Sequence, residues 1–147
     1  MSETSTTRPP AASYGRGMTP HLDMIGLVAS DLPRTLAFYR ALGLALPPDA
    51  DDAPHVEVTL PGGLRLAWDT VDVVRSFDPG WRAPAGGHRA ALAFRCADAA
   101  EVDATYARMV DAGFTGHVAP WDAVWGQRYA VLHDPDGTAV DLFAPAA

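Results

Sequence analysis

Residues 125–145, WGQRYAVLHDPDGTAVDLFAP, constrain the fold of this chain more than any other stretch. Two apolar runs, at residues 129–133 and 139–143, flank the tetrapeptide DPDG. Pro135 presets φ for the first corner of a type I turn, and Gly137 supplies the left-handed residue that leads into the next run. The sequence therefore predicts a β-hairpin close to the C-terminal end of the chain.

Composition limits the kinds of partner and chemistry that this chain can support. At 147 residues, 48% of them hydrophobic, it suits one domain with a real core. A net charge of −7 argues against nucleic acid as a partner. All eleven basic residues are arginines, which excludes imine chemistry through a lysine amine. Cys96 is the single cysteine, so neither an intrachain disulfide nor a thiolate cluster can form.

The chain is predicted to consist of a leader and one domain. Residues 1–19 are rich in Ser, Thr, Pro and Gly without periodicity, which predicts a disordered leader. Module one covers about residues 20–70, a connector with the composition of a hinge covers residues 71–87, and module two covers about residues 88–147. No apolar run is long enough for a signal peptide or a membrane span, so we expect a cytoplasmic protein with no membrane partner.

The two modules repeat the same order of elements. Each starts with an apolar strand pattern, followed by a helix with a capping residue at its start and a glycine at its end. A second glycine in each module precedes the last strand. The spacing predicts a βαβββ unit in each half. The matched pairs are His21 with His88, Asp31 with Asp98, Gly43 with Gly113, and Gly63 with Gly137, and the first two pairs are both offset by 67 residues.

The segment FYRALGL at residues 38–44 and the DPDG hairpin together resemble the glyoxalase / bleomycin-resistance / extradiol-dioxygenase group, the vicinal oxygen chelate superfamily. The resemblance covers about residues 22–145. It implies an α+β fold in which two βαβββ modules form a curved mixed sheet around a cavity. It also implies a homodimer, because the grooves of this family usually need two chains or two domain copies.

Metal binding is the main question that the resemblance raises. Enzymes of the superfamily usually bind a divalent ion through His and Glu side chains of four strands. The resemblance places those positions at Met24, Ala67, Ala91 and Asp141. Alanine has no ligand atom and methionine suits soft ions, whereas a catalytic ion needs about three protein ligands. We therefore expect no metal and no other cofactor there, although a relocated site using His21, His88 and Asp141 remains an alternative.

The tryptophans indicate a surface for a flat ligand. Trp81 and Trp121 lie in predicted loops and Trp125 lies beside one, so they could form a stacking wall. Trp125 could equally pack at a subunit interface or a sheet edge. Trp68 has the strand parity that faces the helices, so we expect it in the core.

Side chains on the opposite strand parity should face the cavity. Small residues there leave room, Met24 offers adaptable contact, and the charged residues could hold polar groups of a ligand or pair with one another. The residues of this parity are Met24, Gly26, Arg65, Ala67, Asp69, Arg89, Ala91, Ala93, Tyr129, Asp141 and Phe143. The ligand-binding candidates are Met24, Arg65, Asp69, Trp81, Arg89, Trp121, Trp125, Tyr129 and Asp141.

Three functions are consistent with these patterns. The leading hypothesis is a metal-free protein that sequesters an aromatic or polycyclic small molecule, as the bleomycin-type resistance proteins do, and that could confer antibiotic resistance. The second is an enzyme (a lyase, isomerase or cyclase) that works without metal or with a relocated one, with Asp141 as its general base. The third is an interaction module whose cavity is vestigial.

Overall fold

The computed structural model describes residues 19–147. The predicted leader therefore lies outside the described residues, except for Thr19. The described chain forms two β-sheets of three and four strands, together with three α-helices. This architecture confirms the mixed α+β class that the sequence predicts. Among the described helices, none is long and apolar enough to cross a membrane.

Module one forms the three-stranded sheet. Its elements are β1 (Met24–Ala29), α1 (Leu32–Leu42), a 3-10 turn (Ala50–Asp52), β2 (His55–Thr59) and β3 (Arg65–Thr70). The strand order is β1-β3-β2, with β1 parallel and β2 antiparallel to β3. In the described structure this module has one strand fewer than the predicted βαβββ unit. The proline-rich acidic stretch before β2 forms the 3-10 turn instead.

Helix α1 has the boundaries that its end residues predict. The Asp31 side chain caps the first turn by accepting a hydrogen bond from the Arg34 amide at 3.3 Å. Gly43 ends the helix at φ 125°, where it donates to the carbonyls of Tyr39 and Arg40. The helix buries Leu36, Phe38 and Tyr39 against the rest of the core.

Helix α2 (Val71–Phe77) occupies the first half of the predicted connector. The Thr70 hydroxyl oxygen caps this helix by accepting from the Val73 amide at 3.2 Å. Val74 is buried and attaches the helix to the core. The prolines and glycines that suggested a hinge all follow the helix, and residues 78–90 form no helix or strand.

Module two has the predicted βαβββ order. Its elements are β4 (Ala91–Arg95), α3 (Ala99–Asp111), β5 (Thr115–Asp122), β6 (Gln127–His133) and β7 (Ala139–Pro145). The strand order is β4-β7-β6-β5, and only the pair β4–β7 is parallel. Asp98 caps α3 by accepting from the Glu101 amide at 2.9 Å, as the sequence predicts. The closing hairpin β6–β7 is also confirmed, with Gly137 at φ 85°.

One hydrophobic core joins the two modules. Trp68 is fully buried, as predicted, and its ring centroid lies 5.0 Å from that of Tyr39. Phe38 of module one contacts Phe114 of module two edge to face, at a centroid distance of 5.3 Å. Because the helices and one face of each sheet fill this core, the other face of each sheet remains open to solvent or to a partner.

A polar contact also joins the modules at the turn of the closing hairpin. The Tyr39 hydroxyl donates to the buried Asp134 carboxylate at 2.8 Å. The other oxygen of Asp134 accepts from the amides of Asp136 and Thr138, which holds the turn in shape. Asp136 in turn accepts from the Thr35 hydroxyl. The DPDG turn is therefore docked on α1 as well as closed within itself.

Candidate functional site

The open face of the second sheet carries an aromatic cluster. Ala130, Leu132 and Leu142 are buried in the core, so Tyr129 and Phe143 project from the opposite face of β6 and β7. We call this side of β4–β7 the second-sheet face. Its strand register pairs Trp121 with Tyr129 and Tyr129 with Phe143. The fold thus aligns aromatic residues from three strands in one row.

The cluster consists of Trp121, Trp125, Tyr129 and Phe143. Trp121, Trp125 and Tyr129 contact one another edge to face at centroid distances of 5.4–6.0 Å. The Tyr129 and Phe143 rings stack at 6.4 Å. Trp125 donates its indole N–H to the Gln127 side chain at 2.9 Å and remains 57% exposed. An oriented aromatic surface of this kind can stack against a flat ligand.

Asp141 lies beside the cluster and is hydrogen-bonded to it. The Tyr129 hydroxyl donates to the Asp141 carboxylate. Burial, followed by the hydrogen bond and the charge of Asp141, raises the pKa of Tyr129 to about 12. The phenol therefore stays protonated near neutral pH and remains a donor. One carboxylate oxygen of Asp141, the predicted general base, therefore already accepts a hydrogen bond from Tyr129.

The open face of the first sheet carries charge instead of aromatic rings. His55 places Nδ1 2.5 Å from Asp69 and Nε2 2.9 Å from Glu57. Arg65 pairs with Glu57 at 3.1 Å and with Asp23 at 2.6 Å. Hydrogen bonds to Glu57 and then Asp69 raise the pKa of His55, and the bond from His55 lowers the pKa of Glu57. We call these five residues the polar network.

The structure divides the predicted ligand-binding residues between the two sheets. Arg65 and Asp69 belong to the polar network, and Met24 lies opposite Arg65 on β1. Arg65 and Asp69 therefore do form charged pairs, but not with one another. Arg65 pairs with Glu57 and Asp23, and Asp69 pairs with His55. Arg89 is exposed just before β4, and Trp81 lies in the loop after α2. Within residues 19–147 no ring contact joins Trp81 to the aromatic cluster.

The positions that correspond to the superfamily metal ligands do not form a metal site. Ala67 lies between Gly26 on β1 and Glu57 on β2. Ala91 pairs with Ala139, and Asp141 pairs with Ala93. Of these strand neighbours Glu57 alone carries a carboxylate, and it is already paired with His55 and Arg65, so the donor set does not suit a hard or borderline divalent ion. No chemical step on this chain can be assigned to a metal at these positions.

Three histidines meet at the hairpin end of the second-sheet face. The rings of His117 and His133 stack with centroids 4.1 Å apart, and the centroid of His88 lies 6.0 Å from that of His133. Burial, followed by the neighbouring His117 and His88, lowers the pKa of His133. The 67-residue internal repeat in the sequence instead matches His88 with His21. The alternation of β6 predicts that His133 shares a face with Tyr129, but the β-bulge that positions His117 has no clear sequence signal.

An open depression of about 690 Å³ lies elsewhere, between the start of α1 and α2. Its lining includes the carboxylates of Asp31, Asp51, Asp52 and Asp72. None of the predicted ligand-binding residues lines it. The aromatic cluster, by contrast, is an open surface on a single chain.

The model of the Glyoxalase/Bleomycin resistance protein/Dioxygenase superfamily matches residues 21–142. The chain belongs to this superfamily. No curated protein matches it significantly. Among solved structures, a superfamily member from Nocardioides is 23% identical with a TM-score of 0.70, and the match covers 91% of this chain and 89% of that one. A family enzyme from Burkholderia phytofirmans is 18% identical with a TM-score of 0.72, over 84% and 98% of the chains.

A third solved structure, of a protein from Agrobacterium tumefaciens determined by NMR, is 26% identical with a TM-score of 0.68. The match covers 88% of this chain and 100% of that one. These likenesses agree with the superfamily fold from β1 to β7. They leave the ligand of this glyoxalase/bleomycin-resistance superfamily protein to be inferred from its own residues.

Proposed function

We propose that this superfamily protein binds a planar aromatic or polycyclic small molecule on its second-sheet face, without the superfamily metal ligands. The observation that carries the proposal is the exposed, oriented aromatic cluster. A soluble domain tends to bury large aromatic side chains unless they serve an interaction. Here Trp125 is 57% exposed although its indole N–H is satisfied by the Gln127 side chain.

The size of the expected interaction follows from the rings available. A flat ligand laid on Trp121 and Trp125 gains apolar burial plus about 0.5–1.5 kcal/mol for each well-placed aromatic pair. Tyr129 and Asp141 lie at the edge of the same surface, where polar groups can orient a ligand. Micromolar affinity corresponds to about 8 kcal/mol, so stacking on one open face must be supplemented by a second wall.

We further propose that a second copy of the chain supplies this wall. Strand β4 lies at one end of its sheet, and its residues Ala91 and Ala93 on the second-sheet face are exposed. The polar network occupies the corresponding open face of the first sheet. Placing the polar face of one copy opposite the aromatic face of another would enclose a groove with one apolar and one charged wall.

Measuring the oligomeric state tests directly whether a second copy of the chain supplies this wall. Analytical ultracentrifugation of the full chain should give a dimer at micromolar concentration. Replacing both Ala91 and Ala93 with glutamate should shift the dimer towards monomer, because these exposed positions would then repel an acidic partner face. A wild-type chain that sediments as a monomer at all concentrations would contradict the dimeric groove.

Ligand binding is tested by calorimetric titration with planar natural products, including antibiotics, and simple aromatic metabolites. Saturable binding should weaken at least about tenfold in Trp125→Ala, which removes the exposed ring of the cluster. Trp81→Phe is the matched control, because Trp81 lies outside the cluster, and it should leave the affinity unchanged. The ligand should be recovered unaltered by mass spectrometry. A panel without any binding would instead favour an interaction module.

A second candidate function is metal-independent proton transfer by Asp141. The half-buried Asp141–Tyr129 pair favours it, since a carboxylate beside a protonated phenol can remove a proton while the phenol donates one. In that case Asp141→Asn would abolish turnover of a bound ligand but keep its binding. Turnover that persists in the Asn variant would exclude Asp141 as the base.

A further inference from the structure

Three histidines from separate segments converge beside the closing hairpin. His133 lies at the end of β6 opposite Ala139, and Ala139 lies opposite Ala91 on β4. His88 precedes Ala91 by three residues, so the chain reaches the cluster just before it enters the sheet. These contacts use three of the five histidines in the sequence.

The register of β5 explains why His117 joins them. Thr115 pairs with His133, and a β-bulge follows between Gly116 and Val118. The bulge leaves His117 unpaired in the ladder and places its ring against that of His133. The histidine cluster is therefore produced by strand order and by one irregularity.

The cluster contains an unused ligand atom. His133 Nε2 is buried and has no hydrogen-bond partner in the described part of the chain. A buried polar atom without a partner costs free energy and is uncommon in folded proteins. His88 and His117 are exposed, so both can change rotamer at little cost and an ion can reach them from solvent.

We propose that His88, His117 and His133 bind one divalent transition-metal ion that favours imidazole, such as Zn²⁺ or Ni²⁺. Three imidazole nitrogens match the protein ligand number of open zinc sites and leave a position for water or another donor. This site is distinct from Met24, Ala67, Ala91 and Asp141, the positions of the superfamily ligands, and it goes beyond the proposed binding of an aromatic molecule.

Binding requires a local rearrangement. The rings of His117 and His133 lie only 23° from parallel, so their nitrogens do not converge on one point. In residues 19–147 no group of three metal-ligand side chains is already arranged to hold an ion. Rotation of the exposed His117 side chain about χ1 and χ2 would replace ring stacking with coordination. The ion would then satisfy His133 Nε2 as well.

The test uses tag-free protein treated with chelator, titrated calorimetrically with ZnCl₂ and monitored by Co²⁺ visible absorption. We expect one ion per chain and a tetrahedral Co²⁺ spectrum. Loss of an outer-shell partner typically weakens metal sites 10–100-fold, so losing a direct ligand should weaken binding by at least about 100-fold. His117→Ala and His88→Ala change exposed residues and should fold normally. His133→Asn is the third variant.

His55→Gln is the matched control, because His55 lies between two carboxylates that could themselves attract an ion. It should bind Zn²⁺ as the wild type does. The proposal is overturned if the wild type binds neither Zn²⁺ nor Co²⁺ at millimolar concentration. It is equally overturned if the His117 and His88 variants keep wild-type affinity, or if His55→Gln is the variant that loses it.

Discussion

Replacing Tyr39 with phenylalanine tests how strongly the closing hairpin is held on module one. The ring would keep its contacts with Phe38 and Trp68, both at centroid distances of 5.0 Å. The 2.8 Å hydrogen bond to Asp134 would be lost, together with a weaker polar contact between the hydroxyl and the Trp68 indole N–H. Asp134 is 5% exposed, so water cannot easily replace the missing donor. The variant therefore removes mainly one buried hydrogen bond to a carboxylate.

Hydrogen bonds to charged groups contribute about 1.5–3 kcal/mol, so Tyr39→Phe should lower the free energy of unfolding by about 2 kcal/mol. For a domain of this length that is a fall of roughly 5–10 °C in the unfolding midpoint. Urea denaturation and calorimetry measure both quantities. Tyr106→Phe is the matched control, because the Tyr106 hydroxyl makes no side-chain hydrogen bond in the described structure, and it should change stability by less than about 0.5 kcal/mol.

A double-mutant cycle separates the contact from other effects of each substitution. Tyr39→Phe and Asp134→Ala should couple by about 1–3 kcal/mol, because they remove the same interaction. Asp134→Ala alone should be more damaging, since Asp134 also holds the hairpin turn through two backbone amides. A Tyr39→Phe variant as stable as the wild type would refute the reasoning. So would a coupling energy near zero.

Three further predictions concern single positions. Because the pKa of His55 is raised in the folded state, protonated His55 stabilises the fold below about pH 6.5, and this stabilisation is lost as the pH rises through the folded-state pKa. The free energy of unfolding measured in urea should therefore show this decline in the wild type and not in His55→Gln. Gly116→Ala places Cβ 2.2 Å from the Tyr106 hydroxyl oxygen and should destabilise by about 1–3 kcal/mol in thermal melts, with partial rescue by Tyr106→Ala. Gly43→Ala forces φ 125° on a residue with Cβ and should reduce the denaturant midpoint by an amount equivalent to about 1–3 kcal/mol, while Gly80→Ala should not.

Local sequence signals predicted much of the fold. Asp31 and Asp98 start their helices as expected, Gly43 ends the first, and the DPDG turn closes the last hairpin. These features depend on residues a few positions apart, so the sequence displays them directly. Helix α2 was missed because a helix of seven residues is too short to display a clear helical periodicity. The following prolines and glycines gave the whole segment the composition of a loop.

The candidate site was predicted less completely. The parity of Tyr129, Asp141 and Phe143 was readable from strand alternation, and Trp121 and Trp125 were proposed as one stacking wall. The sequence did not indicate that Trp81 would lie apart from them. It also did not indicate which partners Arg65 and Asp69 would have, because cross-strand partners depend on register. In the structure Arg65 pairs with Glu57 and Asp23, and Asp69 pairs with His55.

The sequence by itself determined the helix ends and the closing turn, since these follow from spacing, capping and backbone freedom within short segments, and its resemblance to the superfamily implied the class of the fold. Tertiary structure alone decided which side chains meet on each open face. Strand order β4-β7-β6-β5 places β4 beside the last strand, and a bulge in β5 moves His117 against His133. Such contacts join residues far apart in the chain, and their geometry is fixed only when the core packs.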